Sequence, residues 1–271
     1  GDEVVTPWRS YEAYPIIAGL SGARLVEVPL DGACCADPAA LLAAVGPRCR
    51  VVILCNPNNP TGTAFAPDAL DALIAALPAR VLVVLDEAYA DYAGDARTVA
   101  ASPARRLARH ANLAVLRTFS KAWGLAGLRV GYCLADPRVI AALHAVAPPF
   151  PLPGPVVAAA LASLDAAAAV EARVARNAAE RERMAVGLRR LELPVAESRA
   201  NFLWLPVGEK AAALAAHCRE VGIAVRCFAG EGVRITTGTA ADTDAILAAA
   251  AAWRDIRKRA QEEGVGRGRK T

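Results

Sequence analysis

Residues 113–131 read LAVLRTFSKAWGLAGLRVG: an apolar run, a polar cluster around Lys121, then a turn punctuated by glycine. Basic positions in this chain are otherwise filled overwhelmingly by arginine, and the other lysines are Lys210, Lys258 and Lys270. The difference is chemical. Arginine supplies charge but does not readily lose its proton, whereas a desolvated lysine amine can become neutral, attack a carbonyl and form a Schiff base. A lone lysine is ordinarily a solvated surface residue, so the reading of Lys121 depends on its company.

Two further apolar runs end in polar clusters. RVVILC (50–55) leads into NPNNPTGT (56–63), and RVLVVL (80–85) leads into DEAY (86–89). Near-continuous Val, Leu and Ile without alternation is the pattern of strands covered on both faces of a parallel sheet, and the intervening segments are long enough for crossover helices. In open sheets of this kind ligands bind beyond the carboxyl ends of the strands. The amide, carboxylate, phenol, hydroxyls and amine of the three clusters are therefore expected on one rim of an α/β domain.

That set of groups suits pyridoxal 5′-phosphate (PLP). Its ring nitrogen works as part of an electron sink only while protonated, which calls for a carboxylate, and Asp86 fits. Asn59 and Tyr89 can donate to the ring's phenolic oxygen, and Lys121 can meet the aldehyde. A dianionic phosphate calls for hydroxyls, a helix N-terminus and a guanidinium; Thr118, Ser120 and Arg129 lie on the turn and the start of the segment after the strand. Pro57 and Pro60 stiffen the loop that carries Asn59.

NPNNPTG, DEAY and SKAWGLAGLRVGY together resemble the signature segments of the class I/II aminotransferases of PLP fold type I, with wording most similar to the histidinol-phosphate aminotransferase subfamily. The resemblance runs from Gly1 to about Trp253. It implies a mostly parallel sheet flanked by helices, followed by a smaller α+β domain. It implies that Lys121 is the Schiff-base lysine, that Asp86 partners the pyridine nitrogen, that Asn59 and Tyr89 hold the phenolic oxygen, and that Ser120, Arg129 and Thr118 hold the phosphate. Tyr11 matches the aromatic residue that stacks on the cofactor, and Arg234 the arginine that grips the anionic end of the substrate, with Arg226 and Asn59 also on the substrate side. Phosphothreonine-type decarboxylases share the signature and are the runner-up chemistry; a non-catalytic module or inactive fragment of the same fold is the alternative of another class.

A chain of 271 residues can bury a large core and suffices for one larger and one smaller domain. A net charge of +4, much of it in the stretch from Arg254 to Lys270, gives no argument for nucleic acid. The cysteines at 34, 35, 49, 55, 133, 218 and 227 form no CxxC pair and are odd in number, which points to a reducing, cytoplasmic setting. No charge-free apolar stretch of membrane-spanning length occurs, so no membrane partner is expected. Periodicity breaks at PPFPLPGP (148–155). The expected organisation is a partial PLP-binding domain over 1–150, a small C-terminal domain over 151–256 and a disordered basic tail over 257–271. In the small domain two Ala-rich helices are expected over 156–191 with a break near 163–165. Strands follow at 201–205, 223–227 and 233–237, with a helix over 210–221 between the first two and another from about Asp242.

Set against the family pattern, Gly1 falls in the middle of the large domain. The resemblance thus implies an N-terminally incomplete member, lacking a loop that holds the phosphate and part of a homodimer surface. The segments WRSYEAYP (8–15) and RCFAGEGVR (226–234) look most like the aromatic aminotransferase subgroup, because histidinol-phosphate specialists commonly carry a longer connection between the two arginines. The expected substrates are an aromatic amino acid with 2-oxoglutarate as the 2-oxo acid, then histidinol phosphate, with Tyr14 and Phe228 beside the substrate's side chain.

Overall fold

The structure, a computed structural model, describes residues 1–93 and 103–268. Its first unit comprises Gly1–Ala175 with Ser198–Ala200. The unit is built on strands β1 (Glu3–Trp8), β2 (Arg24–Pro29), β3 (Cys49–Cys55), β4 (Leu82–Asp86), β5 (Leu113–Thr118) and β6 (Gly131–Ala135), which lie side by side in the order β2-β1-β3-β4-β5-β6. All neighbours are parallel except β5 and β6. The three apolar runs of the sequence are β3, β4 and β5, well inside the sheet, where a strand needs apolar residues on both faces.

Connections run through α1 (Ala13–Leu20), α2 (Pro38–Ala43), α3 (Pro67–Ala76) and α4 (Pro103–Leu107). On one face Val5, Val52, Leu54, Val83, Leu85 and Val115 pack with Leu41 of α2 and Leu70, Leu73 and Ile74 of α3. On the other, Val4, Ile53 and Cys55 pack with Tyr14 and Ala18 of α1. Helices start where sequence rules place them: Asp37 caps α2 by accepting from the Ala39 amide at 2.8 Å, and proline occupies the first turn of both α2 and α3. Because β1 leads outward to β2 while β3 leads the other way, the strand order reverses between β1 and β3. The crevice at their carboxyl ends is a topological switch point, the usual place for a ligand in an open sheet.

After β6 come α5 (Pro137–Val146), α6 (Gly154–Asp165) and α7 (Ala167–Arg190). The last two meet at a bend of 73°. By contacts the first unit continues to Ala175, inside α7, whereas the Pro-rich stretch had suggested a division at 150. The second unit holds the remainder of α7, α8 (Ala211–Glu220), α9 (Ala240–Gly268) and a three-stranded antiparallel sheet, β7 (Phe202–Leu205), β8 (Arg226–Phe228) and β9 (Gly232–Thr236), in the order β7-β9-β8. Its core includes Met184, Leu188, Leu203, Leu205, Leu214, Val233, Ile235 and Trp253.

Strand β8 begins three residues later than its β-branched sequence suggests. Residues before it close the C-terminus of α8: the Gly222 amide donates to Arg219 O at 3.0 Å and the Ile223 amide to Cys218 O at 2.8 Å, with Gly222 at φ 81°. Ile223 and Val225 pack on the core as part of that helix stop rather than as strand. Residues 257–268, expected as a separate tail, continue α9, and 269–271 lie outside the described residues. Among the described residues no single helix is long and apolar enough to cross a membrane.

Candidate active site

Beyond the carboxyl ends of β3, β4 and β5 lies a cavity of about 340 Å³ lined by Tyr11, Asn59, Asp86, Tyr89, Thr118, Ser120, Lys121 and Arg129, together with Cys55, Ala88, Leu116 and Arg117. Every residue expected on the cofactor side is among them. A larger cleft of about 770 Å³ is lined by Leu82 at the start of β4, by His110, Ala111 and Asn112 just before β5, and by Arg80, Arg109 and Arg138. It contains none of the residues singled out by the three motifs, so chemistry rather than size selects the smaller cavity.

Each side chain has a local reason for its place. Successive residues of a strand face opposite ways, so Asp86 at the end of β4 lines the cavity while Glu87 is fully buried on the other side, bonded by the Arg117 Nε at 2.7 Å and lying 3.8 Å from Arg106. A 3₁₀ turn over Ala90–Tyr92, closed by the Ala90 amide donating to Glu87 O at 3.0 Å, then sets Tyr89, which is buried. Lys121 lies on a tight turn in which the Gly124 amide donates to Lys121 O at 3.0 Å. Gly124 has φ 76°, a conformation costly for residues with a side chain. Arg129 is itself left-handed at φ 54°, and its Nη1 donates to Ala126 O at 2.8 Å. The sequence led us to expect a helix N-terminus beside the phosphate. Here the turn is followed only by a single 3₁₀ turn, Ala126–Leu128, because the chain must reverse at once into antiparallel β6.

The electrostatics are those of a partly desolvated pocket. Burial raises the Asp86 carboxyl above its ordinary range, opposed by a hydrogen bond from Tyr14, one from the Ala88 amide and the charge of Lys121. The Lys121 Nζ lies 5.1 Å from the centre of the Tyr89 ring. The Thr118 hydroxyl donates to Ser120 Oγ at 2.9 Å and accepts from the Ser120 amide at 3.0 Å, which points both hydroxyls at the same corner.

The sequence reading missed two features here. Asn58 ties the two loops of the switch point together: Ser10 Oγ donates to its Oδ1 at 2.7 Å, and its Nδ2 donates to Arg9 O at 3.0 Å and Thr61 Oγ1 at 2.9 Å. The doubled asparagine in NPNNPTG was the available signal. Tyr14, expected beside the substrate, is instead buried at 5% exposure, and its hydroxyl donates to Asp86 Oδ2 at 2.8 Å. The first turn of α1 directs it under the carboxylate, while Tyr11, before the helix, stays 45% exposed at the rim. In the second unit Arg226 and Arg234 are direct partners across β8 and β9, and Phe228 is buried ring to ring with Trp204 at 5.3 Å.

Residues 1–250 match the family model described as aminotransferase class I and II. The chain is a member of that family. This aminotransferase is 47% identical over 247 residues to the aromatic amino acid aminotransferase of Streptomyces coelicolor, across 91% of its own length and 68% of the relative's. It is 48% identical over 250 residues to the enzyme of the same description from Thermobifida fusca, across 92% and 69%. Histidinol-phosphate aminotransferase from Sinorhizobium meliloti, solved in complex with pyridoxal-5′-phosphate, matches its fold with a TM-score of 0.86 at 30% identity, covering 94% of this chain and 71% of that one. The aminotransferase is a PLP-dependent transaminase of fold type I. The donor set of the cavity fits that cofactor: a carboxylate, an amine, a phenol with an amide, and two hydroxyls with a guanidinium answer its ring nitrogen, aldehyde, phenolic oxygen and phosphate in one space.

Proposed function

We propose that the enzyme transfers the amino group of an aromatic amino acid to a 2-oxo acid, with 2-oxoglutarate as the preferred acceptor and histidinol phosphate as a second donor. The observation that carries the assignment of roles is the convergence of Asp86, Lys121 and the Thr118–Ser120–Arg129 corner on one cavity. When bound, PLP supplies an electron-withdrawing ring that accepts the charge left at the substrate's Cα. Lys121 Nζ anchors the cofactor and, once released, takes the proton from that Cα. Asp86 keeps the ring nitrogen protonated, Asn59 and Tyr89 donate to the phenolic oxygen, and Tyr11 covers the ring. Thr118, Ser120 and Arg129 hold the phosphate.

Arg226 and Arg234 are assigned to the anionic end of the substrate, and Asn59 is assigned to substrate binding as well. The two are register partners across β8 and β9, and their guanidiniums lie 5.7 Å from the centre of the Phe228 ring and 5.0 Å from that of Phe202. A guanidinium fork accepts carboxylate and phosphate alike, so these arginines support both donors without ranking them. The ranking rests on the relatives: identity is 47% and 48% to the aromatic enzymes above and 30% to the histidinol-phosphate enzyme. Apolar pockets separate similar substrates by only ~1–3 kcal/mol per methylene, which favours dual capacity. We expect kcat/KM for phenylalanine and tyrosine to exceed that for histidinol phosphate; a hundredfold preference for histidinol phosphate reverses the ordering.

The same proposal includes a homodimer. Tyr132 and Leu134 on edge strand β6, Leu143 and Val146 on α5, and Phe150 at 96% exposure present apolar surface of the kind that marks an interface. Sedimentation is expected to give a dimer or larger species, and a stable, soluble monomer contradicts this. A cytoplasmic setting, read from the odd number of cysteines, belongs to the proposal as well.

A further inference from the structure

We propose that Tyr14 is a positioning residue for the cofactor's ring nitrogen, holding the Asp86 carboxylate ionised and aimed into the cavity through a hydrogen bond from its hydroxyl. The inference rests on the reading of Asp86 given above. Both carboxylate oxygens are held by the protein: Oδ2 accepts from Tyr14 Oη at 2.8 Å and Oδ1 from the Ala88 amide at 3.1 Å. A carboxylate oxygen has two acceptor sites, so one on each remains for a ligand, while the two bonds stop the group from rotating. The Tyr14 ring packs on the sheet with Ala18, Ile53 and Cys55, and it meets the Tyr11 ring edge-on with centroids 5.6 Å apart. The ring is thereby clamped with its hydroxyl beneath the site.

Electrostatics agree with the geometry. Of the influences that oppose the desolvation of Asp86, the Tyr14 hydroxyl is the largest, ahead of the Ala88 amide and Lys121. The phenol is pushed well above its ordinary range by burial and by the neighbouring Cys55 and Asp86, so it remains a donor. Titratable groups facing Asp86 are thus Tyr14 from α1, Cys55 opposite it on β3, and Lys121 from the loop after β5. The Cys55 thiol, also raised by burial, donates to Pro57 O at 3.3 Å.

The test is a double-mutant cycle on PLP affinity, read by absorbance when the cofactor-free protein is titrated with PLP. Tyr14→Phe is expected to raise the PLP Kd about ten- to a hundredfold, the range for a hydrogen bond to a charged group. It is also expected to move the pH at which the bound cofactor's visible band titrates. In an Asp86→Asn background the same change is expected to alter Kd by less than about twofold, because the acceptor it acts through has lost its charge. Ile53→Val, which trims the packing beside the Tyr14 ring outside the cavity and leaves the Tyr14–Asp86 bond in place, is expected to stay within about threefold of the unaltered protein. Tyr14→Phe without effect, multiplicative losses in the double variant, or an Ile53→Val loss as large as that of Tyr14→Phe would each overturn the proposal. Asp86→Asn with unchanged affinity and spectrum would instead remove the reading of Asp86 on which it stands.

Discussion

Lys121→Arg lowers transamination by at least about a thousandfold, since both the nucleophile and the proton-transfer group are lost. Arginine keeps the positive charge, but its guanidinium does not readily give up a proton. Lys121 is only partly buried, so the melting temperature should change little. Single-turnover kinetics with an aromatic amino acid, alongside thermal unfolding, separate chemistry from folding. A Lys121→Ala protein that retains a tenth of the activity without added amine removes Lys121 from its assigned role.

Asp86→Asn comes next in size. Removing one partner of a buried ion pair typically costs ~3–5 kcal/mol, roughly a hundredfold to a few thousandfold in rate if the ring nitrogen loses its counter-charge. Tyr89→Phe is milder at roughly ten- to a hundredfold, because it deletes one of two donors to the phenolic oxygen and leaves the ring under the Lys121 amine, whose Nζ lies 5.1 Å from its centre. Single-turnover rates of the two variants decide the order, and an Asp86→Asn protein no slower than Tyr89→Phe means the two are misassigned.

Legibility followed burial. Strands β3, β4 and β5 were readable because apolar cover on both faces leaves an unbroken apolar run. Strands β2 and β6 were not, because edge strands are mostly exposed and carry little pattern. Strand β1, EVVTPW, lies inside the sheet, but its glutamate, threonine and proline break the apolar run. Chemistry was readable where side-chain types are scarce and specific: a lysine at a strand end in a chain rich in arginine, a carboxylate at the end of another strand, an asparagine between prolines.

What the sequence determined by itself is the set of groups and the rim they occupy, since strand-end clusters of a parallel sheet share one edge whatever their spacing along the chain. Which of them touch was decided only by tertiary structure. Tyr14 and Asp86 are 72 positions apart, and whether the phenol faces substrate or carboxylate depends on how α1 packs across the reversed strands β1 and β3, which no local pattern encodes. The same holds for Asn58, which bridges the loops after β1 and β3. Side-chain identity is a local property of the chain; the direction a buried polar group takes is set by the elements closing over it, because desolvation leaves it only the partners they bring.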